Sequence, residues 1–213
     1  VMFIDTVHSV LEQRLQEMGF QCEDYTQKNK EDIYTYISDF QGVVIRSKFP
    51  FDQNIINKAS KLQFIARSGS GMENIDLKSA KEKNITCFNS PEGNKDAVAE
   101  HCIGMLLSLF NKIIQSNSQV KTGKWQREAN RGLELKTKTV GMLGYGTMGE
   151  AFAKVLVGFG VQVIAYDNAK TGYSSNFVKE VTLQEFYEKT DVLSIHINYS
   201  EDNYYLVDKK YVE

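Results

Sequence analysis

The fold is decided by the stretch Thr139-Val140-Gly141-Met142-Leu143-Gly144-Tyr145-Gly146-Thr147-Met148-Gly149. Its apolar run, residues 139–143, leads directly into three glycines with the spacing G-x-G-x-x-G, and an amphipathic stretch over 148–157 follows. A strand, a glycine-rich turn and a helix in this order are the context in which the glycine spacing has a physical meaning. The stretch therefore predicts one unit of a parallel α/β sheet.

Each glycine in this turn has a distinct physical role. Gly144 makes the tight turn, Gly146 lets the backbone approach a pyrophosphate, and Gly149 lets the helix pack on the strand. The amides of Thr147 and Met148 then direct the positive end of the helix toward the phosphates. The turn predicts a dinucleotide site, and a purely structural glycine-rich turn is the alternative.

An acidic residue follows the next strand. Asp167 lies 167 − 149 = 18 residues after the last glycine, close to the spacing of about 20 that is typical of dinucleotide sites. A carboxylate there accepts hydrogen bonds from the adenosine ribose hydroxyls and repels a 2′-phosphate. We therefore predict that the cofactor is NAD and not NADP.

The segments around this turn predict an incomplete nucleotide-binding sheet. Further apolar runs occur at 161–166 and 192–197, with helical patterns at 148–157 and at 183–189. Together they indicate three strands, which is one mononucleotide half of a Rossmann domain.

The first part of the chain predicts a second sheet of the same class. Short apolar runs alternate with amphipathic stretches such as 9–18, a pattern typical of parallel strands with crossover helices. We predict a five-strand, doubly wound, flavodoxin-like domain over residues 1–89. The predicted strands are residues 1–6, 21–25, 42–47, 62–68 and 85–89.

Between the two sheets, residues 90–94 read as a turn-rich hinge. Asn94 or Asp96 can cap a single helix that reaches to about Gln119, and its apolar residues cover most of its circumference. Such a helix suits a linker that also meets a dimer partner, and an ordinary core helix is the alternative. We predict two doubly wound domains: a substrate-binding domain over 1–89, and a linker helix with the first half of an NAD-binding Rossmann domain over 90–213, with the cleft between them.

Composition excludes several classes of protein. Hydrophobic residues make up 42% and charged residues 24%, and the net charge is −2, which is ordinary for a globular protein and argues against nucleic-acid binding. No apolar stretch approaches the roughly 18 residues that cross a bilayer, and no signal sequence is expected. Cys22, Cys87 and Cys102 are odd in number and far apart, so we expect packed thiols in the cytoplasm and no disulfide or metal site.

Several segments, in the same order along the chain, resemble the D-isomer-specific 2-hydroxyacid dehydrogenases. One is R-S-G-S-G-M-E-N-I-D, which resembles the family's R-x-G-x-G-x-D-N-I-D loop. The matching segments are residues 67–76, 89–94, 97–101, 140–149 with Asp167, and 191–197.

The resemblance implies roles for individual residues. The amides of Ser70 and Gly71 would face the substrate carboxylate, with Ser70 also near the cofactor. Val98 would pack beside the nicotinamide, and His196 and Ile197 would border the adenosine side.

This chain departs from the family pattern at two positions. It has Asn198 where the family usually has proline, and Glu73 where the family has aspartate. The second change keeps the charge.

The resemblance also implies that no catalytic residue lies in this chain. In the family a histidine moves the substrate's hydroxyl proton, a glutamate orients that histidine and an arginine holds the carboxylate, and all three would follow Glu213. His8, His101 and His196 do not match that histidine, so we expect negligible activity from this chain alone. It is either part of a longer enzyme or a non-catalytic NAD-binding module like the corepressors that share this fold.

Within the family, two basic segments resemble those of the phosphoglycerate dehydrogenases. Arg46 and Lys48 would lie toward a substrate phosphate, and Arg127 would reach the cleft of the partner subunit in a homodimer. A phosphate ester carries nearly two negative charges, which suits such cations; solvated surface charges are the alternative. The implied reaction interconverts 3-phosphoglycerate and 3-phosphohydroxypyruvate in serine biosynthesis, and a glyoxylate or hydroxypyruvate reductase is the other possibility.

Overall fold

A computed structural model describes residues 1–208. The chain divides into two compact units, Val1–Gly93 and Asn94–Glu213, and each unit has its own sheet. The sequence predicted a boundary after residue 89, whereas the two units divide after residue 93. Residues 209–213, at the end of the predicted second domain, lie outside the described residues.

The first unit has the predicted five-strand parallel sheet, with the order β2-β1-β3-β4-β5. This is the doubly wound, flavodoxin-like order, and the fold class predicted for this unit is confirmed. The strands are β1 (Met2–Phe3), β2 (Glu23–Asp24), β3 (Gly42–Ile45), β4 (Phe64–Arg67) and β5 (Thr86–Phe88), and the helices are α1 (Ser9–Glu17), α2 (Lys30–Tyr36), α3 (Gln53–Lys58) and α4 (Leu77–Glu82).

Both faces of this sheet are buried, which explains the continuous apolar runs. In β3, Val43 and Ile45 pack in one core cluster, whereas Val44 packs with Val1 and Phe3 on the other face. Successive side chains of a strand point to opposite faces, so a strand covered on both sides is apolar at every position.

The second unit has four parallel strands in the order β8-β7-β6-β9, not the three that the sequence predicted. The strand that sequence reasoning missed, β8, is only the dipeptide Lys179-Glu180, which offers no apolar run to recognise. The elements are α5 (Lys95–Phe110), α6 (Ile113–Lys121), β6 (Thr139–Leu143), α7 (Thr147–Leu156), β7 (Gln162–Tyr166), β8 (Lys179–Glu180), α8 (Leu183–Lys189) and β9 (Val192–Ile195).

The position of β9 extends the sheet beyond one mononucleotide half. It pairs with β6 on the side opposite to β7, so β6, β7 and β8 form one half and β9 begins the other. The strand order reverses between β6 and β9, and the carboxyl ends of strands at such a reversal are where ligands bind in this class of fold. Within residues 1–208, the predicted Rossmann-type parallel sheet is confirmed.

The single helix predicted up to Gln119 is wrong, because two helices occupy this segment. α5 and α6 are bent by 58°, and Lys112 between them has a left-handed backbone with φ 50°. The carbonyl of Phe110 accepts a hydrogen bond from the Leu133 amide at 3.1 Å, and Lys112 Nζ donates to the Ala129 carbonyl at 2.8 Å. The loop that contains Ala129 and Leu133 therefore hydrogen-bonds to residues at the break between α5 and α6.

Most apolar residues of this segment are not buried in the single chain. Only Ala99 and Leu106 of α5 are buried, and they join the core of the second unit. Met105, Leu109, Ile113 and Ile114 are exposed, Leu109 by 72% and Ile114 by 75%. Asn94 precedes α5 without a side-chain capping bond. Within residues 1–208, no single helix is long and apolar enough to span a membrane, and only the bent pair α5–α6 passes that test jointly.

Candidate functional site

The glycine-rich turn, residues 144–149, connects β6 to α7 as the sequence predicted. α7 begins at Thr147, and Gly146 precedes it without a side-chain capping bond. The first backbone bond of this helix runs from the Glu150 amide to the Gly146 carbonyl at 2.9 Å. The amides of Thr147 and Met148 therefore remain without a partner inside the helix, and the helix dipole favours an anion there.

The three glycines of this turn differ in what an added side chain would meet. Gly144 has φ +89°, and a Cβ on it would lie 2.7 Å from the His196 carbonyl oxygen. A Cβ on Gly149 would overlap the Gly144 carbonyl oxygen, whereas a Cβ on Gly146 would meet nothing within 4 Å. Gly144 and Gly149 therefore allow the turn to close, and the space beside Gly146 is open.

Asp167, at the carboxyl end of β7, binds the glycine-rich turn directly. Its Oδ2 accepts a hydrogen bond from the Tyr145 amide at 2.7 Å, and its Oδ1 accepts from the amides of Ala169 and Lys170, each at 2.9 Å. Burial raises the pKa of this carboxyl, but the three amide bonds hold the pKa below its ordinary value, so the group is ionised at neutral pH. An ionised carboxylate has about four acceptor positions, which leaves room for a ribose hydroxyl.

A cavity of about 430 Å³ lies at the carboxyl ends of β6, β7 and β9. It brings together five of the residues predicted to bind the cofactor, since Gly144, Gly146, Asp167, His196 and Ile197 all line it. Thr147, Met148 and Val98 lie outside its lining: the first two stand half-buried at the start of α7, and Val98 is half-buried on α5.

Sequence reasoning missed part of the cavity wall. Leu183 and Tyr187 of α8 line the cavity together with Asn203 and Leu206. Leu183 and Tyr187 are four residues apart and therefore share a helix face, but the sequence does not reveal which face meets a ligand. The lining thus combines aliphatic and aromatic side chains with a few polar ones, a composition that is common in ligand-binding pockets.

The lining residues after β9 are held in place by hydrogen bonds. His196 Nε2 lies 2.8 Å from Ser194 Oγ, and burial lowers the pKa of this histidine, so its ring is neutral at pH 7. Asn198, where the family usually has proline, accepts a hydrogen bond on its carbonyl from Asn203 Nδ2 at 2.9 Å. That bond gives this segment a tether that does not depend on proline.

In the first unit, the loop that contains Ser70 and Gly71 follows β4 and is tied on two sides. Asn89 Nδ2 donates to the Ser70 carbonyl at 2.6 Å, and the Arg67 guanidinium lies 3.6 Å from the Glu73 carboxylate. A Cβ on Gly71 would overlap the Glu73 side chain, so this glycine makes room for the ion pair. Glu73, the glutamate in place of the family's aspartate, is thus the partner of a largely buried arginine.

Arg46 and Lys48 follow β3 and share one anchor. The Asp5 carboxylate accepts hydrogen bonds from the amides of residues 46, 47 and 48, at 2.6, 3.1 and 3.2 Å. Lys48 Nζ donates to the carbonyls of Thr26 at 2.5 Å and Ile4 at 3.4 Å. The ammonium group of Lys48 is therefore engaged in joining strand ends, whereas the exposed Arg46 has no ion pair within residues 1–208.

The cavity lining does not include Arg127, His8 or His101. The side chain of Arg127 is 80% exposed and lies 3.9 Å from Glu128. His8 caps α1 by accepting from the Val10 amide, and His101 is exposed on α5. The part of the chain that the structure describes contains no cluster of residues that could hold a metal ion.

The fold and this site define a dinucleotide-binding α/β protein: a strand-order reversal, a glycine-rich helix start and an acidic residue after the second strand. Residues 103–213 match the D-isomer specific 2-hydroxyacid dehydrogenase family, NAD binding domain. The chain belongs to this family, and NAD is its cofactor.

Two relatives agree with this assignment, and a solved structure has the same fold. D-3-phosphoglycerate dehydrogenase of Homo sapiens is 33% identical over 198 residues, which are 92% of this chain and 37% of that protein. Hydroxypyruvate reductase of Thermotoga maritima is 33% identical over 181 residues, 85% of this chain and 59% of that protein. The fold matches a glyoxylate reductase from Paecilomyes thermophila with a TM-score of 0.88 at 20% identity, covering 99% of this chain and 68% of that one. The chain thus spans 37% of the human relative's length.

Proposed function

We propose that the complete protein is an NAD-dependent dehydrogenase that interconverts a D-2-hydroxy acid and its 2-oxo acid. The observation that carries this proposal is the cavity in which the glycine-rich turn and the ionised Asp167 lie together. Bound NAD supplies the hydride acceptor. The chain itself binds the NAD. The amides at the start of α7 donate hydrogen bonds to the pyrophosphate, and the Asp167 carboxylate accepts hydrogen bonds from the ribose hydroxyls.

The cofactor assignment is tested with Asp167→Ala in the complete protein. Loss of a hydrogen bond to an ionised group costs about 1.5–3 kcal/mol, so NADH binding should weaken by roughly 10-fold or more and the preference against NADPH should relax. Asp191→Ala is the matched control, because Asp191 also accepts a backbone amide, that of Thr139 at 2.8 Å, but does not line the cavity. Unchanged affinity for both cofactors in Asp167→Ala would contradict the assignment.

For the substrate, we propose that the amides of Ser70 and Gly71 bind the carboxylate. A glycine-rich turn surrounds an anion closely because no side chain intervenes. The far end of a three-carbon acid then lies toward Arg46, whose side chain has no ion pair in residues 1–208. Lys48 acts mainly by holding the strand ends beneath, since two carbonyls already accept its hydrogen bonds.

The finer proposal is that the substrate is 3-phosphoglycerate, oxidised to 3-phosphohydroxypyruvate in serine biosynthesis. It is supported by the likeness to D-3-phosphoglycerate dehydrogenases and by the exposed Arg46 and Arg127. The second candidate, reduction of hydroxypyruvate or glyoxylate, is favoured by the equal identity to a hydroxypyruvate reductase and by the engaged ammonium group of Lys48.

The two candidates are separated by assaying Arg46→Ala and Arg127→Ala with phosphohydroxypyruvate and with glyoxylate. Loss confined to the phosphorylated substrate supports the phosphate site. Arg14→Ala is the control, because Arg14 is also an exposed arginine with a nearby acid, Glu17 at 2.9 Å. Equal effects on both substrates, or a wild-type preference for glyoxylate, would favour the reductase.

We also propose that the protein is a homodimer in the cytoplasm. Exposed apolar residues of α5 and α6, such as Met105, Leu109 and Ile114, line one groove that a second copy would cover. The free thiols suit a reducing compartment. Leu109→Glu should produce monomers in light-scattering measurements, whereas Met18→Glu, at a 73% exposed position, should not. A monomeric wild type would refute the dimer, and NADH binding without turnover of any 2-oxo acid would favour a non-catalytic module.

A further inference from the structure

The peptide of Tyr145, inside the glycine-rich turn, is held on both sides by one loop. This loop, residues 167–173, follows β7 and is called the clamp loop below. At its start, Asp167 accepts a hydrogen bond from the Tyr145 amide at 2.7 Å. Three residues further on, Lys170 Nζ donates to the Tyr145 carbonyl at 3.3 Å. Both backbone polar groups of Tyr145, its N–H and its C=O, are thus bound by side chains of the clamp loop.

The side chain of Tyr145 is held by the same loop. Its ring stacks on the ring of Tyr173, with centroids 4.8 Å apart and planes at 24°. Tyr145 is only 5% exposed, so this contact is packed against the core of the second unit and not a surface encounter. Such aromatic pairs stabilise the folded state by more than the apolar area that they bury would give.

Tyr173 is itself fixed, so it can act as a support. Its hydroxyl donates to the Ala165 carbonyl at 3.1 Å, and burial raises its pKa to about 12, which keeps the hydroxyl protonated as a donor. The Glu180 carboxylate accepts hydrogen bonds from the amides of Gly172 at 2.7 Å and Tyr173 at 3.1 Å. These bonds attach the clamp loop to β7 through Ala165 and to β8 through Glu180.

We propose that Lys170 and Tyr173 are positioning residues for the cofactor. They hold the Tyr145 peptide so that the flanking Gly144 and Gly146 keep the shape that receives a pyrophosphate. This inference rests on the proposed NAD binding. A turn that is already in its binding conformation avoids the entropic cost of ordering when the ligand arrives. The clamp also joins the pyrophosphate turn to the ribose-binding Asp167, so the two parts of the cofactor meet one rigid unit.

A different role for Lys170 makes an opposite prediction. An exposed ammonium beside Asp167 could instead attract the 2′-phosphate of NADPH, which is a contact of charge with charge. In that case Lys170→Met would weaken NADPH binding and leave NADH binding unchanged. As a clamp, Lys170 acts on the pyrophosphate turn that both cofactors share, and its loss weakens both by the same factor.

The test is fluorescence titration of NADH and NADPH into the complete protein, with wild-type binding measured first. If wild type binds neither cofactor, the proposed function is wrong. This outcome differs from a failure of the clamp inference, in which wild type binds NADH and the variants bind it equally well. Tyr173→Leu removes the stack, and we expect the Kd for NADH to rise about two- to twelvefold. Lys170→Met should raise the Kd about two- to fivefold for both cofactors, because the single hydrogen bond that it removes is long, at 3.3 Å.

Tyr173→Phe is the matched control, because it keeps the ring and removes only the bond to Ala165. It should restore most of the NADH affinity that Tyr173→Leu loses. In the steady state, Tyr173→Leu should raise the KM for the cofactor and leave kcat within about twofold, a split that general loss of folded protein would not produce. Wild-type NADH affinity in Tyr173→Leu, or a loss restricted to NADPH in Lys170→Met, would overturn the assignment of that residue.

Discussion

Replacing two glycines of the same turn by alanine should affect two different properties: protein stability at Gly149 and NADH binding at Gly146. In Gly149→Ala, the new methyl group overlaps the carbonyl oxygen of Gly144, which is backbone and cannot rotate away. Either α7 or the turn must shift, and overpacking of this kind costs about 1–3 kcal/mol. Helix propensity has the opposite sign, because alanine is favoured over glycine inside a helix by about 1 kcal/mol. A measured loss of stability therefore identifies the clash.

Gly146→Ala is the matched experiment. Its backbone, φ −82° and ψ −164°, is accessible to alanine, and the new Cβ meets nothing within 4 Å. We expect the free energy of unfolding to change by no more than about 1 kcal/mol, which is the scale of an N-cap substitution. NADH binding should nevertheless fall sharply, because the methyl group occupies the space that the pyrophosphate needs.

Both variants of the complete protein are measured by urea denaturation and by NADH titration. The expected pattern is lower stability for Gly149→Ala, and near-normal stability with poor NADH binding for Gly146→Ala. A Gly149→Ala protein more stable than wild type by about 1 kcal/mol, the gain expected from helix propensity alone, would refute the close approach of α7 to the turn. A Gly146→Ala protein with wild-type affinity for NADH would refute the placement of the pyrophosphate over this turn.

Two further predictions concern stability. A hydrogen bond from Lys30 at 2.6 Å lowers the pKa of Asp52, so this carboxyl stabilises the folded state above its unfolded pKa of about 4 and loses that effect as pH falls through the folded pKa; Asp52→Asn should flatten the acid side of the stability–pH curve, and an unchanged slope would contradict this. Thr182 and Glu185 form a capping box at α8, so Thr182→Ala should cost about 1 kcal/mol by denaturant titration, whereas Thr182→Ser should keep most of that stability.

Much of the fold could be predicted from the sequence because its signals are local. A strand that is covered on both faces, such as β3 or β6, gives a near-continuous apolar run in the sequence. The glycine spacing of the turn is equally local, because positive φ at Gly144 and the absence of a Cβ at Gly149 are requirements of a few neighbouring residues. Asp167 could be recognised by its distance along the chain from that turn.

The tertiary structure alone decided features that depend on partners far along the chain. The long helix is interrupted at Lys112, where the Leu133 amide binds the Phe110 carbonyl, a contact that no helical pattern predicts. The dipeptide strand β8 exists because it pairs with β7. Likewise, Tyr173 and Lys170 acquire their relation to Tyr145 only when the loop after β7 folds back on the turn, because contacts between distant residues leave no periodic trace in the sequence.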